Sequence, residues 1–371
     1  MKIAVTYENG QVFQHFGHTA QFKIYTVEDG KVTGSEVVDT NGSGHGALAG
    51  LLNEITVDVL ICGGIGAGAQ NALAEAGIKL YGGVSGDADQ AVDGFGLLSV
   101  ASVDNRGFNL PAIAAEEKDG ITYGNDFLKD VQVRRAINIG INRQEMIDNV
   151  LSGHGTPAYS VCDKMPWYNA EAQVEYDLEG AKKLLEDAGW KEGSDGIREK
   201  DDVKAAFTLM FNPEDSVRQA LAEAVKNQLK ELGIEVTTEG AGWDVAYDNA
   251  QSQPLMWGWG AHTPMELYNI YHTIKDTGTA QYSPYANETV DSYMDQALKA
   301  SSLEESYELW QKAQWDGSTG ITQEGDIPWI WLCNVDHLYF VRAGLQVAEQ
   351  KIHPHGHGWS IVNNVDQWNW E

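Results

Sequence analysis

Arginine and tryptophan are absent from residues 1–105 and frequent afterwards. The first Arg is Arg106, the first Trp is Trp167, and all twelve Trp lie between Trp167 and Trp370. A break this sharp predicts two separately built parts joined near residues 94–104. A part of about a hundred residues is a common size for a domain with its own core. Each part therefore calls for its own reading, and the chain of 371 residues is long enough for both.

Charge narrows the range of partners. The formal charge is −29, with −7 carried by residues 1–100 and −22 by the rest. Two acidic halves argue against nucleic acid or an anionic membrane as partner, and are compatible with a cation or cationic complex. Cys62, Cys162 and Cys333 are far apart and form no C-x-x-C pair, so neither a disulfide framework nor a zinc site is indicated. No apolar run approaches a membrane span. After Met1 and Lys2 comes a strand-like IAVTY and then charge, which reads as a cytoplasmic chain without a signal peptide.

The first part alternates strand and helix signals. Strands are predicted at Lys2–Tyr7, Phe22–Val27, Val32–Val38, Val57–Cys62 and Ile78–Tyr81. Helices are predicted at His45–Glu54 and Ala67–Ala76, the second stopped by Gly77, with a short one over Asp87–Asp93. Three features could carry chemistry: the run QHFGH with His15 and His18, the helix start at His45, and the glycine-rich run LICGGIGAG beginning at Leu60 and containing Cys62. Imidazole and thiolate suit soft or borderline metals, including iron–sulfur species. A glycine loop between strand and helix lets backbone amides approach an anion. It is not a P-loop, since it has no Gly-Lys-Ser/Thr. A buried core thiol with surface histidines is the competing reading.

The order MKIAV, QHFGH, FKIYTVEDGKV, a His-initiated helix and VDVLICGGIGAGAQNALAEAGIKLYGGVSGDADQAV resembles the nitrogenase iron–molybdenum cofactor biosynthesis family over residues 1–95. The resemblance implies a ribonuclease-H-like α/β domain at 1–96. It also implies His15, His18, His45 and Cys62 as contacts of an iron–sulfur or iron–molybdenum cluster precursor. Fold transfers better than role here.

The second part reads as helices at Asp130–Ile141, Arg143–Leu151, Asp177–Ala188, Asp215–Leu232, Thr289–Ala300 and Leu303–Trp315. Strands are predicted at Lys204–Met210, Ile234–Thr238, Leu255–Trp259, Ile327–Leu332 and Leu338–Val341. Asn142 with Glu145 forms a plausible capping box, and Asp177 an N-cap. Its most specific segment is MWGWGAHTPMELYNIYHT, from Met256 to Thr273. Paired Trp at a strand end, a loop carrying His262, and an aromatic helix with Tyr268 would suit a pocket wall of rigid rings and a few polar groups. A core role for the Trp residues is equally open.

That segment, together with SVDNRGFNLP around Arg106, VRRAINIGINRQEMIDNVLSGHGTPA and PWYN, resembles the ABC-importer solute-binding proteins for nickel, dipeptides and oligopeptides. The resemblance runs from about residue 100 to the C-terminus. It implies a protein that captures a small solute, a metal chelate or short peptide, and delivers it to an ABC permease. It implies no catalysis. It places Trp257, Trp259, His262, Tyr268 and Arg106 at the solute. Peptide-binding members commonly carry an Asp after the strand-end Trp to pair with the peptide amine. His262 lies near that place, which shifts the expectation toward nickel or a nickel chelate.

Such proteins are normally extracytoplasmic and begin with a long first lobe. The expected fold class is therefore α/β throughout. A ribonuclease-H-like domain at 1–96 precedes the second lobe of a type II periplasmic-binding-protein-like fold at 100–325. Residues 326–371 form a return segment of a first lobe that is largely missing. Such a truncated binding protein is expected to bind weakly and self-associate through exposed aromatic residues. Alternatives are a metal-cluster carrier or sensor, and a non-functional fusion or misassembled gene product. His353, His355 and His357 alternate along the tail and form a weak metal candidate, since alternate residues of a strand share a face.

Overall fold

The computed structural model describes the chain apart from residues 29–30, 41–44, 93–94, 119, 261–262, 323, 343, 354–360 and 371. It divides into two compact units. One comprises Met1–Leu98, Tyr339–Glu349 and Asn364–Glu371; the other comprises Ser99–Leu338 and Gln350–Asn363.

The first unit is built on the strand Lys2–Glu8. On one side it pairs antiparallel with Gln21–Glu28, which pairs antiparallel with Lys31–Asp39. On the other it pairs parallel with Val59–Ile61, which pairs parallel with Lys79–Tyr81. Alternation along these strands sorts side chains onto two faces. Ala4, Phe22, Ile24, Leu60 and Cys62 pack with Leu48, Leu52 and Leu73 of the helices His45–Glu54 and Ala67–Glu75. Val5, Tyr25 and Ile61 form the opposite cluster with Val84 and Ala88. The helix Ala67–Glu75 ends where Gly77 takes φ +71°, a left-handed conformation suited to glycine.

The second unit has a four-stranded antiparallel sheet in the order Gly155–Pro157, Trp329–Val335, Asn105–Asn109, Met256–Trp259. Beside it, Ala206–Phe211 and Glu235–Gly240 pair in parallel, and a parallel bridge from Met210 to Leu255 links them to the edge strand. The crossover between the parallel strands is the helix Ser216–Lys230. Its apolar stripe Leu221, Ala222, Val225 and Leu229 is buried in the main core. Asp215 caps it, accepting from Arg218 N at 2.9 Å. Asp177 caps Leu178–Asp187 in the same way, accepting from Gly180 N at 2.8 Å. The expected box at Asn142 forms by half. Asn142 Oδ1 accepts from Glu145 N at 3.1 Å, but the Asn142 N–H donates to Gln228 Oε1 of the crossover helix at 2.9 Å.

Two expectations are corrected here. Residues 326–371 are expected to lack the sheet partners usual for such a return segment; Trp329–Val335 has a hydrogen-bonded strand on each side. The face around Trp257, Trp259 and Tyr268 is expected to be unusually exposed, yet Trp257 keeps 4% of its surface, Trp259 and Tyr268 are half-buried, and the neighbouring Trp329 and Trp331 are as covered as Trp257. They cover one another: Trp257 lies 6.0 Å from Trp329, which stacks on Trp331 at 5.1 Å. Gly107 makes room for this layer, because a Cβ there would lie 2.7 Å from Trp331 Cε3.

Candidate functional site

In open α/β sheets, ligands bind outside the carboxyl ends of parallel strands. In the second unit those ends are Phe211 and Gly240, followed by the helices Ser216–Lys230 and Trp243–Asn249, with the end of Met256–Trp259 alongside. Aromatic rings gather there. Trp257 lies 6.1 Å from Trp243, 5.3 Å from Tyr247 and 5.3 Å from Tyr282, and Trp259 lies 5.0 Å from Tyr282. Edge-to-face and tilted pairs at these separations are favourable and stiff. Trp259 is half-buried and fixed by donating from Nε1 to Glu266 Oε2 at 2.7 Å. Tyr268, also half-buried, stacks on His272 at 4.1 Å and reaches Asp295 at 3.5 Å through its hydroxyl.

Of the residues proposed from sequence, Trp257, Trp259 and Tyr268 therefore share one apolar cluster. Arg106 does not join them. It pairs across the sheet with Gly258, so its side chain leaves the face opposite to that of Trp257 and Trp259. His262 lies outside the described residues.

Arg106 is held by Asp104, with Nη1 to Oδ1 at 2.5 Å and Nη2 to Oδ2 at 3.3 Å. A second guanidinium, missed at the level of sequence, stands beside it. Arg218, in the first turn of the crossover helix, pairs with Asp215 and lies 5.8 Å above the Trp243 ring. Burial, followed by the charge of Arg106, lowers the Arg218 pKa. The only signal for Arg218 in the sequence is its place three residues after an N-cap.

In the first unit, the QHFGH run and the glycine loop meet through backbone. His15 forms a parallel bridge with Gly64, Phe16 N donates to Gly64 O at 3.0 Å, and Gly64 N donates to Gln14 O at 2.7 Å. Gly63 is required by this approach, since a Cβ there would come within 2.5 Å of Gln14 Cα. His15 and His18 are exposed. Cys62 is turned into the core among Phe16, Leu48 and Leu60, where burial pushes its thiol up to about 12. The structure thus brings His15 to the loop but buries the Cys62 sulfur. His45 opens its helix, and its side chain lies outside the description. Among the described residues no group of three or more His, Cys, Asp or Glu is placed to hold a metal ion.

In the tail, His353 is buried and paired through backbone with Ala101 and Val103. Its Nδ1 lies 3.1 Å from Nδ1 of His337. His355 and His357 lie outside the described residues.

Rigid rings thus gather at the carboxyl ends of the parallel strands. Comparison with known proteins gives the family. Residues 71–281 match the model of bacterial extracellular solute-binding proteins, family 5, middle region, and the chain belongs to that family. Residues 1–96 match the dinitrogenase iron–molybdenum cofactor model. Protein XP55 of Streptomyces lividans is 34% identical over 219 residues, covering 57% of this chain and 38% of the relative. The oligopeptide-binding protein AppA of Bacillus subtilis is 34% identical over 189 residues, covering 48% of this chain and 34% of the relative. The chain thus spans little more than a third of the length of these curated relatives. Among solved structures, NikZ of Campylobacter jejuni, in complex with Ni(L-His), superposes with a TM-score of 0.59 at 20% identity, over 98% of this chain and 66% of that one. At that identity the likeness concerns the fold, which is the mixed α/β architecture of type II periplasmic binding proteins. No described helix is long and apolar enough to cross a membrane.

Proposed function

We propose that this chain is a solute-binding component of an ABC importer of the nickel and peptide class. The observation that carries the reading is the ring cluster of Trp243, Tyr247, Trp257, Trp259 and Tyr282 at the carboxyl ends of the parallel strands. Family membership over 71–281 supports it, as do relatives named for oligopeptide binding and for nickel binding. The function proposed is capture, not catalysis. The solute proposed is a nickel chelate or short peptide, passed to a permease. Trp259, Tyr268 and His262 are assigned to its wall.

Isothermal titration of the full chain with Ni²⁺, with Ni²⁺ plus L-histidine, and with short peptides tests this. Saturable heat is expected from one class, weakened in Trp259→Ala. Absence of heat from all three classes would reject the assignment.

A second reading applies to residues 1–96. Their match to the iron–molybdenum cofactor model and the pairing of the His15 segment with the glycine loop favour a metal-cluster-holding domain. The strand order, three antiparallel strands followed by two parallel ones, supports a ribonuclease-H-like fold. The exposed imidazoles of His15 and His18 are better presented for ligation than the buried Cys62 thiol.

A further inference from the structure

We propose that a cavity of the second unit, walled by Tyr123, Tyr247 and Asp248, binds a small organic cation of the quaternary ammonium class. It is separate from the wall assigned to the solute: among the described residues, Trp257, Trp259, Tyr268 and Tyr282 do not line it.

Three segments form its walls: the antiparallel hairpin of Glu116–Lys118 with Ile121–Tyr123, the end of the helix Trp243–Asn249, and the loop 274–281. Gln251, just beyond the helix, ties them together. Its carbonyl accepts from Gly124 N at 2.8 Å, and its Nε2 donates to Gln281 O at 3.2 Å. The loop is closed on itself, with Ile274 N donating to Thr279 O at 3.0 Å and Gly278 N to Ile274 O at 2.8 Å. Walls fixed in this way keep the ordering cost of binding low. The cavity measures about 260 Å³. That is below the roughly 300 Å³ at which sites for drug-sized molecules begin, and it suits a compact group.

Ile121, Tyr247 and Ile274 keep 38%, 48% and 39% of their surface. Large apolar side chains left open around one cavity mark a place that an occupant would cover. Tyr123 and Tyr247 supply aromatic rings, and Tyr247 is seated against Trp257 at 5.3 Å and Trp243 at 5.9 Å. Among the described residues, Asp248 is the one charged group lining the cavity, and its carboxylate has no ion-pair partner there. On the hairpin, Glu116 and Lys118 stand opposite Tyr123 and Ile121 and offset each other. A cation is attracted by aromatic rings, by the single carboxylate, and by the field of a chain with formal charge −29. Calcium would require about six to eight oxygen ligands, which one carboxylate does not provide. A cation clothed in methyl groups needs no such shell, and its methyls gain from burial against the two isoleucines.

The test uses the full chain carrying 3-fluorotyrosine, with the ¹⁹F signals assigned from Tyr123→Phe, Tyr247→Phe, Tyr268→Phe and Tyr282→Phe. Choline chloride is titrated against sodium chloride at equal ionic strength, with 3,3-dimethyl-1-butanol as the uncharged molecule of the same shape. Saturable shifts of the Tyr123 and Tyr247 signals with choline are expected, absent with sodium chloride and at least about fivefold weaker with the alcohol. Asp248→Asn should weaken the choline response about fivefold, the order expected for loss of one exposed charge pair. Asp248→Ser serves as a second variant. Each is first checked for the parent's pattern of the other ¹⁹F signals, and either one suffices. Unmoved signals, an equal response to the alcohol, or an undiminished response in a folded Asp248 variant would overturn the site. Shifts confined to Tyr268 and Tyr282 would place choline at the ring cluster and overturn it as well. Ca²⁺ moving the Tyr123 and Tyr247 signals at lower concentration than choline would overturn the class of ligand.

Discussion

Asp163 is a carboxylic acid with 5% of its surface exposed, accepting from Tyr159 N at 3.0 Å, Ser160 N at 3.2 Å and Asn334 Nδ2 at 3.3 Å. Burial outweighs those hydrogen bonds and pushes its pKa from an ordinary 3.8 up to about 7. Folding therefore takes up a proton here between about pH 4 and 7. The contribution to stability is fully present below the unfolded value and is lost as pH rises through the folded one. Asp163→Asn should flatten the fall in stability across that window, read from urea midpoints at about pH 4.5, 6 and 7.5. An unchanged slope would exclude Asp163 as its source. At this scale the sequence was least legible. Whether Trp257 serves core or ligand, and which sheet face Arg106 occupies, depend on register with Asn105–Asn109, and register is set by partners far along the chain. The burial of Cys62 follows from the same alternation, which decides its face only once the central strand Lys2–Glu8 is in place.

Elements were far more legible, because caps and periodicity are local. Asp177, Asp215 and Gly77 each mark a helix end that the structure contains. What sequence could not show is a cap with a second task. Asp215 accepts from the Arg218 backbone N–H at 2.9 Å and also pairs with its guanidinium. Loss of an N-cap carboxylate typically costs about 0.5–2 kcal/mol. Asp215→Ala should lower stability by about that amount, and it should also leave Arg218 without its carboxylate partner. Asp215→Ser should restore most of the cap and none of the ion pair. Chemical denaturation of the two variants separates the roles. Equal destabilisation by both would mean that the ion pair, not the cap, carries the effect. The half-formed box at Asn142 gives the same lesson, since its second donor is satisfied by Gln228 from a helix eighty-six residues later.

For the whole molecule, the break in arginine and tryptophan usage corresponds to a physical boundary in burial. Among the described residues, the two apolar clusters of the first unit are built from positions between Ile3 and Val92, and none of their buried members comes from the later segments Tyr339–Glu349 and Asn364–Glu371. The hydrophobic term that drives folding is therefore already present in residues 1–96. The strand His337–Arg342 pairs with Phe95–Val100, and Leu345–Gln346 pairs with Asn369–Trp370, where Trp370 is 65% exposed. None of the described residues in the later segments is a buried apolar one. A fragment ending at residue 96 should consequently fold on its own, with a single cooperative thermal transition. The full chain should show that transition as a distinct component, because among the described residues the large cores of the second unit draw only on positions between Phe108 and Val335. Calorimetry of fragment and full chain tests both statements. A broad, noncooperative melt of the fragment would mean that residues after 338 complete its core. A single sharp transition in the full chain would mean that the two units unfold together despite their separate clusters.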